Sequence, residues 1–168
     1  MKRVFLLRHA KSAWDDPGLR DRDRPLAPRG RKAAKRVARW ARKHSVRPQL
    51  VVCSSATRAQ QTMRLVLPSL GEPEVWVETM LYAADAETLL ARIRALPEEV
   101  DEAMLVGHNP GLMEVLLLLA APGKLRKRAA VNVPTAAIAQ LEADVVSWGD
   151  VTPGEARLAA FVVPRELK

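Results

Sequence analysis

Short apolar runs alternate with helix-spaced apolar positions along most of the chain. Val4 to Leu7 is a continuous apolar run closed by Arg8, which predicts a buried strand. A polar segment rich in Asp and Arg extends to about Pro28. Beyond it Ala33 or Ala34, Val37, Trp40, Ala41 and His44 recur at the spacing of one helix face. Leu50 to Cys53 predicts a second strand, followed at once by a helix from about Ala56 that turns Leu65 and Val66 inward and stops at Pro68. Val75 to Val77 suggests a third strand. Leu89, Leu90, Ile93 and Leu96 mark a further helix ended by Pro97. Ala103 to Val106 predicts a fourth strand, leading through Gly107-His108-Asn109-Pro110 into a helix that starts just after the proline. Ala136 to Leu141 and Leu158 to Val163 read as two further strands.

Repeated strand–helix–strand units argue for an α/β domain whose largely parallel sheet is covered on both faces. No internal repeat, low-complexity tract or linker divides the sequence, so residues 1–168 are expected to form one domain. Hydrophobic residues at 48% and charged residues at 27% are ordinary globular values, which exclude a disordered or fibrous chain.

A lone cysteine, Cys53, cannot form an internal disulfide and lies in an apolar run, which points to a reducing, cytoplasmic setting. The apolar stretch before Arg8 is too short for a secretory signal, and Leu112 to Ala121, broken by Glu114, is about half the ~20 residues of a bilayer crossing. No membrane association is expected. The net charge of +8 is concentrated between Arg29 and Arg47. Such a face is usually solvated; it would also attract phosphorylated or acidic partners, or bind nucleic acid weakly and without specificity. Two Phe and one Tyr offer few stacking platforms, so no specific nucleic-acid partner is expected. Oligomeric state is not legible.

In open α/β sheets ligands bind beyond the carboxyl ends of the strands. Those ends carry Arg8-His9-Ala10-Lys11-Ser12, then Ser54-Ser55-Ala56-Thr57-Arg58, then Gly107-His108-Asn109-Pro110. This set suits phosphoryl transfer. Guanidinium forks bind phosphate oxygens and stay charged. A neutral imidazole whose other nitrogen donates to a fixed acceptor can attack phosphorus, and His9 is the candidate. His108 would stabilise the transferring group. Either histidine alone would read as an ordinary loop residue, but Arg8 directly after a buried strand needs an anion to compensate it, and Arg58 sits in a first helical turn where the dipole disfavours a cation. His44, closing a basic helix, is read as structural.

Cys53 is the alternative nucleophile. Only four residues separate it from Arg58, one short of a cysteine-phosphatase loop, so a buried structural thiol is expected. No Walker loop, dinucleotide fingerprint or His-Glu-x-x-His helix is present. Asp15, Asp16, Asp21 and Asp23 alternate with Arg20, Arg22 and Arg24, which favours internal ion pairing over cation binding, so no metal is expected.

The segment Leu7-Arg8-His9-Ala10-Lys11-Ser12 resembles the opening motif of the histidine phosphatase superfamily, and more closely that of the small SixA-like phosphohistidine phosphatases. Ser55-x-x-Arg58-Ala59-x-Gln61-Thr62, Val106-Gly107-His108-Asn109-Pro110, Arg24-Pro25-Leu26 with Arg29-Gly30, and Val133-Pro134-Thr135 match further segments in order. The resemblance implies a three-layer α/β/α fold, a phosphohistidine intermediate on His9, and a pocket of Arg8, Arg58 and His108; Ser12, on the loop that follows His9, is a further candidate substrate contact. It implies no cofactor. Ala10 replaces the usual glycine, and Asp15 stands where mutase relatives have a phosphate-contacting Asn. Many relatives carry a glutamate that protonates an alcohol leaving group; here Glu78 is the candidate, though it also reads as a strand flank. An alkoxide leaves poorly without a proton donor, whereas phosphohistidine releases a nitrogen that can be protonated beforehand. The expected substrate is therefore protein phosphohistidine, with a small phosphomonoester as the alternative. A noncatalytic phosphate- or nucleic-acid-binding module is the reading of another class, and it would not require a nucleophile.

Overall fold

A computed structural model describes residues 1–168. Its centre is one six-stranded sheet made of β1 (Lys2–Arg8), β2 (Leu50–Ser54), β3 (Glu74–Glu78), β4 (Glu102–Gly107), β5 (Ile138–Ala143) and β6 (Arg157–Val162) in the order β3-β2-β4-β1-β5-β6. The first four are mutually parallel, and β5 and β6 join antiparallel beside β1. The helices are α1 (Pro28–Lys43), α2 (Thr57–Val66), α3 (Ala86–Arg94), α4 (Gly111–Leu119) and α5 (Lys124–Val131).

Strand order explains the layers. From β1 through β2 to β3 the chain advances in one direction across the sheet; from β3 to β4 it turns back. Right-handed crossovers then put the connecting helices of the two legs on opposite faces. Accordingly α1 and α2 cover one face through Ala34, Val37, Ala41, Ala59, Met63 and Val66. The other face is covered by α3, α4 and α5 through Leu89, Ile93, Leu112, Leu116 and Ala129. The alternation of β1 follows: Phe5 and Leu7 pack toward α1 and α2, Val4 and Leu6 toward the opposite layer.

The predicted α/β/α architecture is present. Three details differ. The fifth strand starts at Ile138 rather than Ala136, because Ala136 takes a left-handed backbone (φ 63°) that no strand continues through. The last two strands are antiparallel because no crossover helix joins them. Helix α5 leaves no mark in the apolar pattern: Ala129 is its only buried residue, so it shows no apolar periodicity. No helix is long and apolar enough to cross a membrane.

Two glycines permit close approaches near the sheet's carboxyl edge. A Cβ at Gly30 in α1 would lie 2.2 Å from the Lys11 carbonyl oxygen, and one at Gly111 in α4 would lie 1.9 Å from that of Ala84. Both hold loops that border the carboxyl ends of β1 and β3.

Candidate active site

Strands β2, β4 and β1 are adjacent and parallel, so their carboxyl ends open on one edge. Arg8 and Gly107 are register partners, and His9 continues the ladder by donating its amide to the Gly107 carbonyl at 3.0 Å. His9 and His108 therefore leave the sheet side by side, with ring centroids 5.0 Å apart.

His9 is buried, and its Nδ1 lies 2.7 Å from the Ala10 carbonyl oxygen. A carbonyl only accepts, so Nδ1 carries the proton and Nε2 keeps its lone pair. Burial is the main force lowering the ring to about 3, against the opposing Ala10 hydrogen bond and with help from His108, Arg58 and Arg8. The imidazole is neutral at neutral pH and can act as a nucleophile.

The acceptor itself is anchored. Thr62 Oγ1 accepts the Ala10 amide at 2.9 Å and donates to the Arg58 carbonyl at 2.7 Å. Ala136 donates its amide to the carbonyls of both Arg8 and His9, at 3.1 and 3.0 Å.

His108 Nε2 lies 2.7 Å from Ser54 Oγ, which also accepts the Ala56 amide at 3.2 Å. With its lone pairs facing that amide, the Ser54 hydroxyl can donate to Nε2 and leave the proton on Nδ1. Nδ1 is buried and has no partner within the protein. Burial, then Arg58, lowers this ring to about 4, so it too is neutral. A buried N–H without a partner can donate to an oxyanion.

Arg8 donates from Nη1 to the Val133 carbonyl at 2.9 Å, while its buried Nε has no protein partner. Burial and the neighbouring Arg58 lower its pKa. Arg58 is oriented by Asp21, donating to its carbonyl at 2.7 Å and its carboxylate at 3.0 Å. The Tyr82 hydroxyl donates to the same carboxylate at 2.6 Å, and its ring meets His108 edge-on. The Tyr82 hydrogen bond above all, then Arg58, lowers the Asp21 pKa. With Arg58 paired to Asp21 and Arg8 meeting only a backbone carbonyl, the pocket keeps a net positive charge suited to an anion.

Of the residues singled out from the sequence, Arg8, His9, Arg58 and His108 converge. Ser12 lies on the same loop, but its hydroxyl accepts the Trp14 indole N–H at 3.1 Å. Glu78 ends β3, and Arg92 engages both of its carboxylate oxygens, at 2.7 and 3.0 Å. The Cys53 thiol is fully buried and pushed up to about 12 by that burial, as an inert structural thiol should be. Within the acidic run Arg20 pairs with Asp23 at 2.9 Å, but Asp21 pairs with distant Arg58 instead. Sequence reasoning missed Asp21 and Tyr82 as neighbours of the histidines. Nothing local marks them, since their partners lie far along the chain.

Residues 4–82 match the profile of the Histidine phosphatase superfamily (branch 1). The chain is 37% identical over 163 residues to an uncharacterized protein of Mycobacterium tuberculosis, covering 95% of this chain and 100% of the relative. Its fold matches a structure assigned to the phosphohistidine phosphatase SixA of Agrobacterium tumefaciens, with a TM-score of 0.82, 34% identity, and coverage of 97% of this chain and 98% of that one. It matches the protein histidine phosphatase SixA complexed with tungstate at a TM-score of 0.80 and 26% identity, over 99% of both chains. Paired histidines at the ends of neighbouring strands, full-length similarity and the matching profile agree: the chain belongs to the histidine phosphatase superfamily (branch 1).

Proposed function

We propose that this chain is a SixA-like phosphatase that removes the phosphoryl group from protein phosphohistidine through a covalent intermediate on His9. Nε2 of His9 bonds to phosphorus as the bond from phosphorus to the substrate's ring nitrogen breaks, and the electron pair leaves on that already protonated imidazole. Water then attacks phosphorus, the bond to His9 Nε2 breaks, and orthophosphate departs, leaving His9 neutral. Arg8 and Arg58 hold the phosphoryl oxygens, and the free Nδ1–H of His108 donates to one of them. Tungstate in the SixA complex is a tetrahedral oxyanion of the same kind.

One observation carries the substrate class: the nearby carboxylates are committed. Asp21 accepts from Tyr82 and Arg58, and Glu78 is held through both oxygens by Arg92. Neither of these two carboxyl groups is free to protonate an alkoxide, so a leaving group that departs without one is favoured. The reduced, buried Cys53 fits a cytoplasmic setting.

Turnover of a phosphohistidine peptide, p-nitrophenyl phosphate and an alkyl phosphomonoester at equal enzyme concentration tests this reading. The first two should be hydrolysed and the alkyl ester far more slowly. An alkyl ester turned over as fast as phosphohistidine would favour small phosphomonoesters instead.

A further inference from the structure

Helix α1 is electrostatically unbalanced in a way the catalytic reading does not use. Its sequence holds no acidic residue, and every Arg and Lys from Arg29 to Lys43 is exposed. None of them makes an ion pair or a side-chain hydrogen bond, whereas Arg3, Arg58, Arg92, Arg128 and Arg157 elsewhere are all paired with carboxylates. Like charges stack at i,i+4 as Arg31–Lys35, Lys32–Arg36, Lys35–Arg39 and Arg39–Lys43, an arrangement that destabilises a helix. Three of these cations sit in or near the first turn, at the positive end of the helix dipole.

This face starts beside the nucleophile. The Ala27 amide, which caps α1, donates to the Lys11 carbonyl at 2.8 Å, and Lys11 is two residues from His9. A cleft of about 290 Å³ there is bordered by Lys11, Arg29 and Arg165, all without protein partners, and by Thr135, next to the Ala136 that braces Arg8 and His9. At the other end of α1, Arg36, Arg39, Lys43 and Lys168 surround a second hollow. Its one side-chain carboxylate, Glu166, is held by Arg128 at 2.8 Å.

From this juxtaposition we infer that the cationic face running from Lys11 and Arg29 along α1 is the docking surface for an acidic patch on the phosphorylated protein substrate, aligning its phosphohistidine with His9. The inference rests on the phosphohistidine reading above. Charge complementarity selects an acidic protein. Nucleic acid fits less well because the aromatic platforms are already occupied: Trp40 stacks on His44 with centroids 4.6 Å apart, and Trp14 stacks on Arg24 at 3.9 Å.

The test uses a folded protein bearing one surface phosphohistidine, made with Asp and Glu around that position or with Asn and Gln in their place. Wild type and K35E/R36E/K43E are compared on both, on free phosphohistidine, and in rising salt. The substitutions turn all four like-charge i,i+4 pairs into opposite-charge pairs, so the variant should melt no lower than wild type and should retain wild-type activity on free phosphohistidine. Wild type should prefer the acidic carrier roughly tenfold or more through KM, the preference fading with salt; the variant should lose it. Equal handling of both carriers by wild type, or an unchanged preference in the variant, overturns the docking surface. Failure of both enzymes on both carriers and on free phosphohistidine overturns the substrate reading, and this inference with it. Retention of wild type but not the variant on duplex nucleic acid, with no carrier preference, reassigns the face to nucleic acid.

Discussion

Thr62 and Ala10 lie 52 residues apart in sequence, yet the Thr62 hydroxyl accepts the Ala10 amide at 2.9 Å while donating to the carbonyl of Arg58. Ala10 in turn offers the carbonyl that fixes the proton on His9 Nδ1. One side chain thus ties the second arginine to the tautomer of the first histidine.

Thr62→Val keeps the shape and removes both bonds, stranding a buried amide at a cost of about 1–3 kcal/mol. The melting temperature should fall, and kcat should drop more than KM rises, because the nucleophile's acceptor loosens. Thr62→Ser should restore most of both. Calorimetry with steady-state kinetics would decide, and an unchanged kcat in the valine variant would show that Ala10 is held well enough by its neighbours.

Arg58 is bound twice by Asp21, so its fork is aimed before substrate arrives. Arg58→Lys keeps the charge and loses the planar fork, which should lower kcat/KM by about 10–100-fold, the equivalent of ~1.5–3 kcal/mol for hydrogen bonds to charged groups. Tyr82→Phe, which releases only the exposed side of Asp21, should cost several-fold at most. Equal losses in the two variants would contradict this ranking.

Both site imidazoles titrate far below the ordinary value of 6.5, at about 3 for His9 and about 4 for His108. From about pH 6.5 down to those values the unfolded chain holds more protons than the folded one, so stability should decline as pH falls through that window and be restored above it. Ring-proton NMR should place both midpoints below 5. A midpoint near 6.5 for either ring would mean that it is less desolvated than the structure has it.

The half-buried Glu78–Arg92 pair offers a clean separation of chemistry from stability. Glu78→Gln should lower stability by roughly 1–3 kcal/mol through the weakened bidentate bond, while kcat on phosphohistidine stays within about twofold of wild type. A large fall in kcat would make Glu78 a proton donor after all.

How far the sequence could be read tracks the range of the forces involved. Val4–Leu7, Leu50–Cys53 and Ala103–Val106 announce themselves as strands because each is a short apolar run closed by a polar residue or glycine. The residues that follow them, Arg8-His9, Arg58 and His108, were findable because parallel strands deliver their carboxyl ends to one edge. Helix α5 was hidden because LRKRAAV has no apolar stripe. Asp21 and Tyr82 were hidden because an aspartate in an Asp-Arg run looks satisfied locally, while its actual partners are Arg58 and Tyr82. Ala136 reads as strand because it opens an apolar run, although its backbone turns left-handed and its amide serves the carbonyls of Arg8 and His9.

The register match of Arg8 with Gly107 has a mechanical consequence. The 5.0 Å between the two imidazoles is close to the ~4.8 Å pitch of neighbouring strands, so the gauge of the phosphoryl clamp is cut by main-chain bonding and not by side-chain fit. Evolution can re-tailor what enters by redrawing the surrounding loops, as on an interchangeable jaw, without disturbing that gauge; only a slipped strand would alter it.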